Sequence, residues 1–311
     1  MPDPLSAVLS ALNVRATRRT VLEAGGDWAL AFPALERLKF VAVVRGSCWL
    51  LPGCESPRHL SLGDVALIGR CDYAVASDPA VPRIAGLPFY NDGRDWLRLG
   101  GGDTMLLGGG VTFTAGTSGF LLDMLPPFLV VERASASAGA VASVLALLDR
   151  EAREPAAGSE AVVARLAELL VIEAIRYQLC RDDANQVGWL GALADPRLGR
   201  ALQSFHADIA RPWTVAMLAE EAGMSRAAFA AAFRAMSGRT PNAYARAWRL
   251  TLARARLMAG AAVNEAAAEV GYTSQSAFGH AYRRTFGVSP GSEALNRWTG
   301  ETVTDAQWLT F

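Results

Sequence analysis

The sequence predicts an α+β chain of several domains, with a small antiparallel β-barrel in its amino-terminal part and an all-α domain built on two helix-turn-helix units in its carboxy-terminal part. Three observations lead there. Short apolar and aromatic runs punctuated by glycine and proline pairs fill roughly the first 130 residues. A pattern of short helix, glycine turn and second helix occurs twice, over Trp213 to Phe233 and Val263 to Phe286. Charge is unevenly spread along a chain that is neutral as a whole, with 30 basic and 30 acidic residues among 311.

The strand signals come first in the chain. Lys39 to Leu51, His59 to Ile68 and Tyr73 to Ser77 are rich in Val, Leu and aromatic residues, and Pro52-Gly53, Gly63-Asp64 and Asp78-Pro79 mark turns between them. Glycine clusters follow at Gly100 to Gly102 and Gly108 to Gly110. Many short strands joined by tight turns are the pattern of a small barrel. Trp28, Phe40, Trp49 and Tyr73 are the candidate lining of a ligand pocket in it, although aromatics at strand spacing are more often plain core.

Three of the four cysteines, Cys48, Cys54 and Cys71, fall in the same region. Cys48 and Cys54 flank the Pro52-Gly53 turn closely enough for a bridge, which in a reducing compartment would be conditional and therefore a switch. The other reading is a set of unpaired thiols packed as small hydrophobes. Of the three histidines, His59, His206 and His280, the first alone lies in the barrel region. A first-row metal site needs more nitrogen ligands than that, so neither a metal nor another cofactor is expected.

Two helical patterns follow, Ser137 to Arg153 and Ser159 to Arg181, separated by a loop over Glu154 to Ser159. In the second, Val162, Leu166, Leu169, Leu170, Ile172 and Ile175 exceed one narrow face, which predicts burial on more than one side. Arg181 to Gly191 reads as a linker. No signal peptide and no apolar run of bilayer length is seen, so a soluble cytoplasmic protein is expected.

In the first helix-turn-helix copy Thr214 is the N-cap candidate, Val215, Leu218 and Ala219 form a stripe, and Gly223 ends the helix. Ser225 caps a second helix whose apolar face is Phe229, Ala232 and Phe233. Ser225, Arg226, Ala227, Ala230, Ala231 and Arg234 are left on its open side. Val263, Ala266, Ala267 and Val270 repeat the pattern up to Gly271, and Ser274 opens a helix anchored by Phe278 and Tyr282. Its open residues are Ser274, Gln275, Ser276, Gly279, His280 and Arg283. One face packing on a supporting helix while the other stays free is what reading a DNA major groove requires. Between the copies, Pro241 to about Gly260, with Tyr244, Trp248, Ala253 and Leu257, predicts one long helix of roughly 30 Å. That approaches the repeat of B-DNA, so the two copies suit successive major grooves. From Asp195 to Trp298 there are 13 arginines against 7 acids, a net of +6, whereas residues 1 to 194 carry 17 basic and 21 acidic residues, a net of −4. Positive charge is concentrated where DNA would lie.

From about Asp195 to Trp298 the chain resembles the AraC/XylS family of bacterial transcription regulators. The residues that carry the likeness are Trp213-Thr214-Val215, Leu218-Ala219, Gly223-Met224-Ser225, Pro241 with Tyr244, Arg249-Leu250 with Ala253, Gly271-Tyr272, Ser274, Phe278 and Phe286-Gly287-Val288-Ser289-Pro290. Over about residues 5 to 130, Leu62 to Ile68, Gly100 to Asp103 and Leu122 to Val131 resemble the cupin sensor domain that precedes such a DNA-binding domain in one large subgroup. The family pattern departs at His280, usually arginine, at Tyr282, usually phenylalanine, and at Glu293-Ala294, usually an aromatic and an arginine.

The resemblance implies a sequence-specific regulator of double-stranded promoter or operator DNA, acting as activator or repressor. It also implies RNA polymerase as a partner, a homodimer, and a small-molecule effector at the cupin domain. A cysteine-based redox sensor with the same DNA output is the alternative, and a metal-dependent cupin enzyme a remote one. The expected division is a cupin-like sensor barrel over 1–132, a helical dimerisation segment over 133–181, a linker over 182–194, the DNA-binding domain over 195–298 and a tail over 299–311. With alanines at 227, 230 and 231, the first reading helix is expected to position the protein on phosphate, and Gln275, Ser276 and His280 to select bases.

Overall fold

The computed structural model describes residues 3–11, 15–16, 19–53, 55–90, 94–113, 117–154, 156–180 and 188–299. Cys54 and the tail from 300 onward lie outside the described residues. Helix α1 (Pro4–Ala11) is followed by β1 (Arg15–Ala16), β2 (Thr20–Ala24), β3 (Ala29–Phe32), β4 (Leu38–Arg45), β5 (Ser47–Pro52) and β6 (Arg58–Ser61). Then come β7 (Val65–Ile68), β8 (Tyr73–Ala76), β9 (Ile84–Ala85), β10 (Trp96–Leu99) and β11 (Thr104–Thr112), with α2 (Ser118–Met124) before β12 (Phe128–Val131). The remaining helices are α3 (Gly139–Arg153), α4 (Ser159–Leu179), α5 (Trp189–Ala194), α6 (Pro196–Ala207), α7 (Val215–Glu221), α8 (Arg226–Ser237), α9 (Pro241–Met258), α10 (Val263–Glu269), α11 (Gln275–Phe286) and α12 (Pro290–Thr299). The chain divides into two compact units. Among the described residues, one holds those within 15–112 and 125–180, and the other those within 3–11, 113–124 and 188–299.

In the sheet unit the expected barrel does not form. The larger sheet runs β10-β2-β11-β4-β7-β12, with β1 added on β11, and the smaller runs β6-β5-β8-β3-β9, so each keeps two open edges. Most neighbours are antiparallel, but β10 pairs with β2 and β9 with β3 in parallel. The inner faces meet in one core: Leu22, Val41, Val43, Ala66, Ile68 and Leu106 from the larger sheet, and Leu30, Cys48, Leu50, Leu60, Tyr73 and Val75 from the smaller. Two sheets packed face to face and a closed barrel need the same inward apolar residues and the same turns, which is why strand spacing did not separate them. Gly46 lets the chain pass directly from β4 in one sheet to β5 in the other. Its φ is +68°, and a Cβ there would lie 2.3 Å from the Asp103 carbonyl oxygen.

The opposite face of the larger sheet is buried as well. Phe40, Ala42, Val65, Leu67 and Leu107 alternate with the inner residues, and helices α3 and α4 pack on this sheet. Strands covered on both sides read as continuous apolar runs, as Phe40 to Val43 and Val65 to Ile68 do. Burying each such Val, Leu or Phe contributes roughly 1.5 to 3 kcal/mol.

In the helical unit, Phe205, Phe229, Phe233, Tyr244 and Trp248 are almost wholly buried. Three polar side chains meet inside this group: the Trp189 Nε1–H donates to the Tyr244 hydroxyl at 2.9 Å, and that hydroxyl lies 2.8 Å from His206 Nε2, whereas Trp248 Nε1 and His206 Nδ1 are buried with no partner among the described residues. Burial pushes His206 down to about 3, so its imidazole is neutral around pH 7. Helix α2 belongs here although it lies between two strands in the sequence. Its Phe120 ring is 5.0 Å from that of Trp248 and 5.7 Å from that of Tyr244. A second core gathers Leu250, Ala253, Leu257, Ala266, Ala267, Val270, Phe278 and Tyr282. Among the described residues no helix is long and apolar enough to cross a membrane.

Lys39 is the exception in the sheet core. It is 7% exposed, and burial, reinforced by the Arg37 charge, lowers it from 10.5 to about 7. Below pH 7 the folded chain must carry a charge where there is little water, and this penalty declines as pH rises from about 7 towards the unfolded value of about 10.4. Lys39→Met should therefore raise stability by up to about 4 kcal/mol near pH 6 and by about half that near pH 9. Urea titrations of both proteins at the two pH values check this; an equal gain at both would mean that Lys39 is not a buried cation.

Candidate nucleic-acid interface

The two helix-turn-helix copies are built by the same local chemistry. The Thr214 hydroxyl accepts from the Met217 N–H at 3.2 Å, and Ser225 caps α8 by accepting from Ala228 N–H at 3.2 Å. Ser274 caps α11 through Ala277 N–H at 3.3 Å. Helix α10 begins at Ala262, which has no side-chain acceptor; here the Glu265 carboxylate instead accepts the Ala262 N–H at 3.1 Å. Both turns end their first helix identically. Met224 N–H reaches the Ala219 carbonyl and Gly223 N–H that of Glu220, while Tyr272 reaches Ala267 and Gly271 reaches Ala268. These paired bonds require a left-handed residue, which Gly223 (φ +64°) and Gly271 (φ +83°) supply.

With the supporting faces buried, the predicted reading residues are left open. On α8, Ser225, Arg226, Ala227, Ala231 and Arg234 are exposed and Ala230 is half-buried, against buried Phe229 and Phe233. On α11, Ser274, Gln275, Ser276, His280 and Arg283 are exposed and Gly279 is half-buried, against buried Phe278 and Tyr282.

The arginines separate into two kinds. Arg249 donates to the Ile209 carbonyl at 2.9 Å and to that of Arg211 at 2.5 Å. Arg200 donates to the Ala222 carbonyl at 3.2 Å, and Arg256 pairs with Glu269 at 2.6 Å. These hold the domain together. Arg226, Arg234, Arg246, Arg283 and Arg284 are exposed and form no salt bridge among the described residues. Composition gives the excess of charge but not this partition, which decides how much of it is free for phosphate.

Two departures from the family pattern prove to be one interaction. The Tyr282 hydroxyl donates to the Glu293 carboxylate, which also accepts from Arg254 Nε at 2.7 Å. Arg254 in turn lies over the Phe286 ring, 4.5 Å from its centre. Glu293 is 9% exposed, so α12 is anchored by a buried carboxylate in place of an aromatic ring. The sequence signal was the simultaneous change at both positions, and only the fold shows that the two side chains meet.

In the sheet unit the four predicted pocket aromatics do not converge. Trp28 and Tyr73 lie in the core between the sheets. Phe40 lies on the other side of the larger sheet. Trp49 is half-buried on the outer face of the smaller sheet, edge-on to His59 at 5.2 Å. An open groove of about 500 Å³ has a mixed lining instead, with Arg58, His59, Asp64, Glu132 and Arg133 beside Leu60, Leu62 and Val130. Cys48 and Cys71 are buried cysteines, and the Cys71 thiol donates to the Asp72 carbonyl at 3.1 Å. Burial, and then the Asp64 charge, push Cys48 up to about 12, the reverse of what a reactive thiolate needs. Among the described residues no group of three or more His, Cys, Asp and Glu is placed to hold a metal.

Two helix-turn-helix units, each with a buried supporting face and an open second helix, define a DNA-binding protein of the double helix-turn-helix class. Residues 3–180 match the family described as cupin, and residues 218–305 that described as helix-turn-helix domain. A putative AraC-like transcription regulator of Streptomyces antibioticus is 39% identical over 294 residues, covering 93% of this chain and 97% of its own. One of Streptomyces lividans is 37% identical over the same shares. The crystal structure of an AraC-type DNA-binding domain protein from Chromobacterium violaceum is 27% identical, covers 34% of this chain and 96% of its own, and has a TM-score of 0.32. The chain belongs to the AraC family of transcription regulators.

The buried carboxylate gives a direct test. Tyr282→Phe removes one hydrogen bond and should cost about 1 kcal/mol. Glu293→Ala removes the acceptor of the Tyr282 hydroxyl and the carboxylate beside the largely buried Arg254 guanidinium, and should cost about 3 kcal/mol. Urea unfolding followed by helical circular dichroism measures both; equal losses would show that Arg254 does not depend on Glu293.

Proposed function

We propose that this regulator reads base sequence mainly with α11 and uses α8 mainly to fix its register on the phosphate backbone. The observation that carries this reading is the chemistry of the two open faces. Gln275, Ser276 and His280 offer hydrogen-bonding groups on α11, whereas α8 offers Ala227, Ala230 and Ala231 between Arg226 and Arg234. Alanine meets a thymine methyl or permits close approach, but it cannot pair with a base edge, while glutamine pairs with adenine through two bonds. The ring nitrogens of His280 suit a single base edge or a phosphate.

The sheet unit is assigned the sensing role, with a small-molecule effector whose occupancy shifts the population of DNA-binding arrangements. The inert character of Cys48 favours this over thiol sensing. RNA polymerase is the expected partner at the promoter. Leu147 on α3 and Val162 and Leu169 on α4 are exposed apolar side chains, 39%, 42% and 41% accessible, on the helices that cover the larger sheet. They support a homodimer formed through α3 and α4, with a symmetric interface.

Gln275→Ala should weaken binding to the preferred site by about 1 to 3 kcal/mol and leave nonspecific DNA nearly unaffected. Arg226→Ala with Arg234→Ala should weaken all sequences alike and reduce the salt slope of binding by about 2. Titration of selected and random duplexes over a salt series distinguishes the two patterns, and a uniform loss for Gln275→Ala would assign it to the backbone. For the assembly, Leu169→Glu should convert a dimer to a monomer in sedimentation velocity. A wild-type chain that sediments as a monomer at micromolar concentration would rule out the α3/α4 interface.

A further inference from the structure

Lys39 is the one lysine in the sequence, and it stands where a lysine is hard to accommodate. Its side chain shares the inner face of β4 with Val41 and Val43. The Nζ lies 5.0 Å from the centre of the Tyr73 ring and 5.6 Å from that of Phe32. Its hydrogen bond to the Pro33 carbonyl is long, at 3.4 Å. The groups that face it are Tyr73 from β8, Phe32 from β3 with the adjoining Pro33 carbonyl, and the Arg37 cation just ahead of β4. Tyr90 stands behind Phe32, ring centres 6.4 Å apart. Among the described residues Lys39 forms no salt bridge, and nearby Glu36 is engaged by Arg70 at 2.6 Å.

Among the described residues this cation pairs with no carboxylate, and its surroundings favour the uncharged amine. Apolar walls and a neighbouring positive charge are the two conditions that turn lysine into a nucleophile toward carbonyl carbon. With the amine at about 7, a large share has a free lone pair at neutral pH. Phe32 and Tyr90 are only half-buried, so the aromatic wall beside the amine itself meets solvent.

We propose that Lys39 is a covalent anchoring site for small apolar or aromatic aldehydes, held as an imine beside the Phe32 and Tyr73 rings. This rests on the reading of the sheet unit as the sensor and names the reactive group of its ligand. The Nζ lone pair attacks the carbonyl carbon while the C=O π pair moves to oxygen. Proton transfer from nitrogen to oxygen gives a carbinolamine, and loss of water leaves the C=N bond. Amine and aldehyde are consumed, imine and water are formed, and no oxidant or metal takes part.

The test uses the full-length chain mixed with an unstructured peptide that contains one lysine. Benzaldehyde or propanal is added with cyanoborohydride, which reduces the imine to a stable secondary amine, and adducts are mapped by mass spectrometry. Near pH 7 the folded Lys39 should be labelled at least about tenfold faster than the peptide lysine, whose amine is almost wholly protonated there. The advantage should vanish in denaturing urea. The adduct should also change affinity for the selected DNA site in wild type and not in Lys39→Arg. Labelling no faster than the peptide, or equally fast in urea, overturns the proposal. A full adduct that leaves DNA affinity unchanged overturns Lys39 as the effector's anchor. Neither result bears on the roles of α8 and α11, which stand or fall with Gln275→Ala.

Discussion

The reading surface depends on one helix being shared by two cores. Near its start α9 buries Tyr244 and Trp248 among the aromatics of the first helix-turn-helix unit, and further along it buries Leu250, Ala253 and Leu257 in the core of the second. At 18 residues it spans about 27 Å. Because each end is locked by packing, the separation of α8 and α11 is set by the rise of a single helix and by no flexible joint. The middle is held too. Arg249 ties α9 to the carbonyls of Ile209 and Arg211, and the turn at Gly271 presses on the same loop so closely that a Cβ there would lie 2.4 Å from the Ala210 oxygen. Glycine at 271 is thus required twice, by its positive φ and by this approach, whereas Gly223 is required by φ alone, since its nearest neighbour is the end of the Arg200 side chain at 3.7 Å.

What could be read from sequence followed the range of the interactions. Caps, turn glycines and apolar stripes act within a few residues, and Thr214, Ser225, Ser274, Gly223 and Gly271 all occupy the places that local chemistry gave them. Long-range relations were less legible. Whether strands close into a barrel or stack as two sheets depends on edge pairing, to which the inward residues are indifferent. Phe40 and Trp49 were grouped with Trp28 and Tyr73 as aromatics of one region, but alternation sends them to other faces, and the coverage of Phe40 by helices far along the chain removed the polar alternation that would have shown it. Phe120 was invisible for a related reason: α2 is seven residues long, lies between two strands and packs with side chains more than 120 positions later.

Charge shows the same limit and its physical origin. A net of +6 over the DNA-binding region marks the right domain, yet the arginines in it do different work. A guanidinium that caps carbonyls or pairs with a buried carboxylate is already desolvated and geometrically committed, so it adds to the field at long range without being free to meet a phosphate. Arg249 and Arg254 are of this kind; Arg256 is engaged by Glu269, but that pair stays exposed. The exposed set on and beside α8 and α11 is smaller, and it is this set that governs counterion release on binding. The Tyr282, Glu293 and Arg254 group illustrates the commitment: a tyrosine hydroxyl, a carboxylate and a guanidinium satisfy one another in a place where an aromatic side chain would have needed no partner.

Lys39 is the opposite case, a charge that burial leaves without a carboxylate among the described residues. A chain that uses arginine at all its other basic positions has arginine available as a residue type, and arginine at 39 would place a permanent charge in the sheet core. Lysine differs in that burial can return it to the neutral amine within the physiological range. The aromatic rings of Phe32 and Tyr73 fit both states, since their faces attract the cation and their edges and planes pack against the uncharged chain. The position therefore tolerates a change of charge that neither arginine nor an aliphatic residue could undergo, and such a change lies on the inner face of β4, the strand that hydrogen-bonds to both β7 and β11. A group whose charge is altered there by proton or by covalent ligand acts on an interior strand of the larger sheet, where close packing leaves a small local change little room to dissipate.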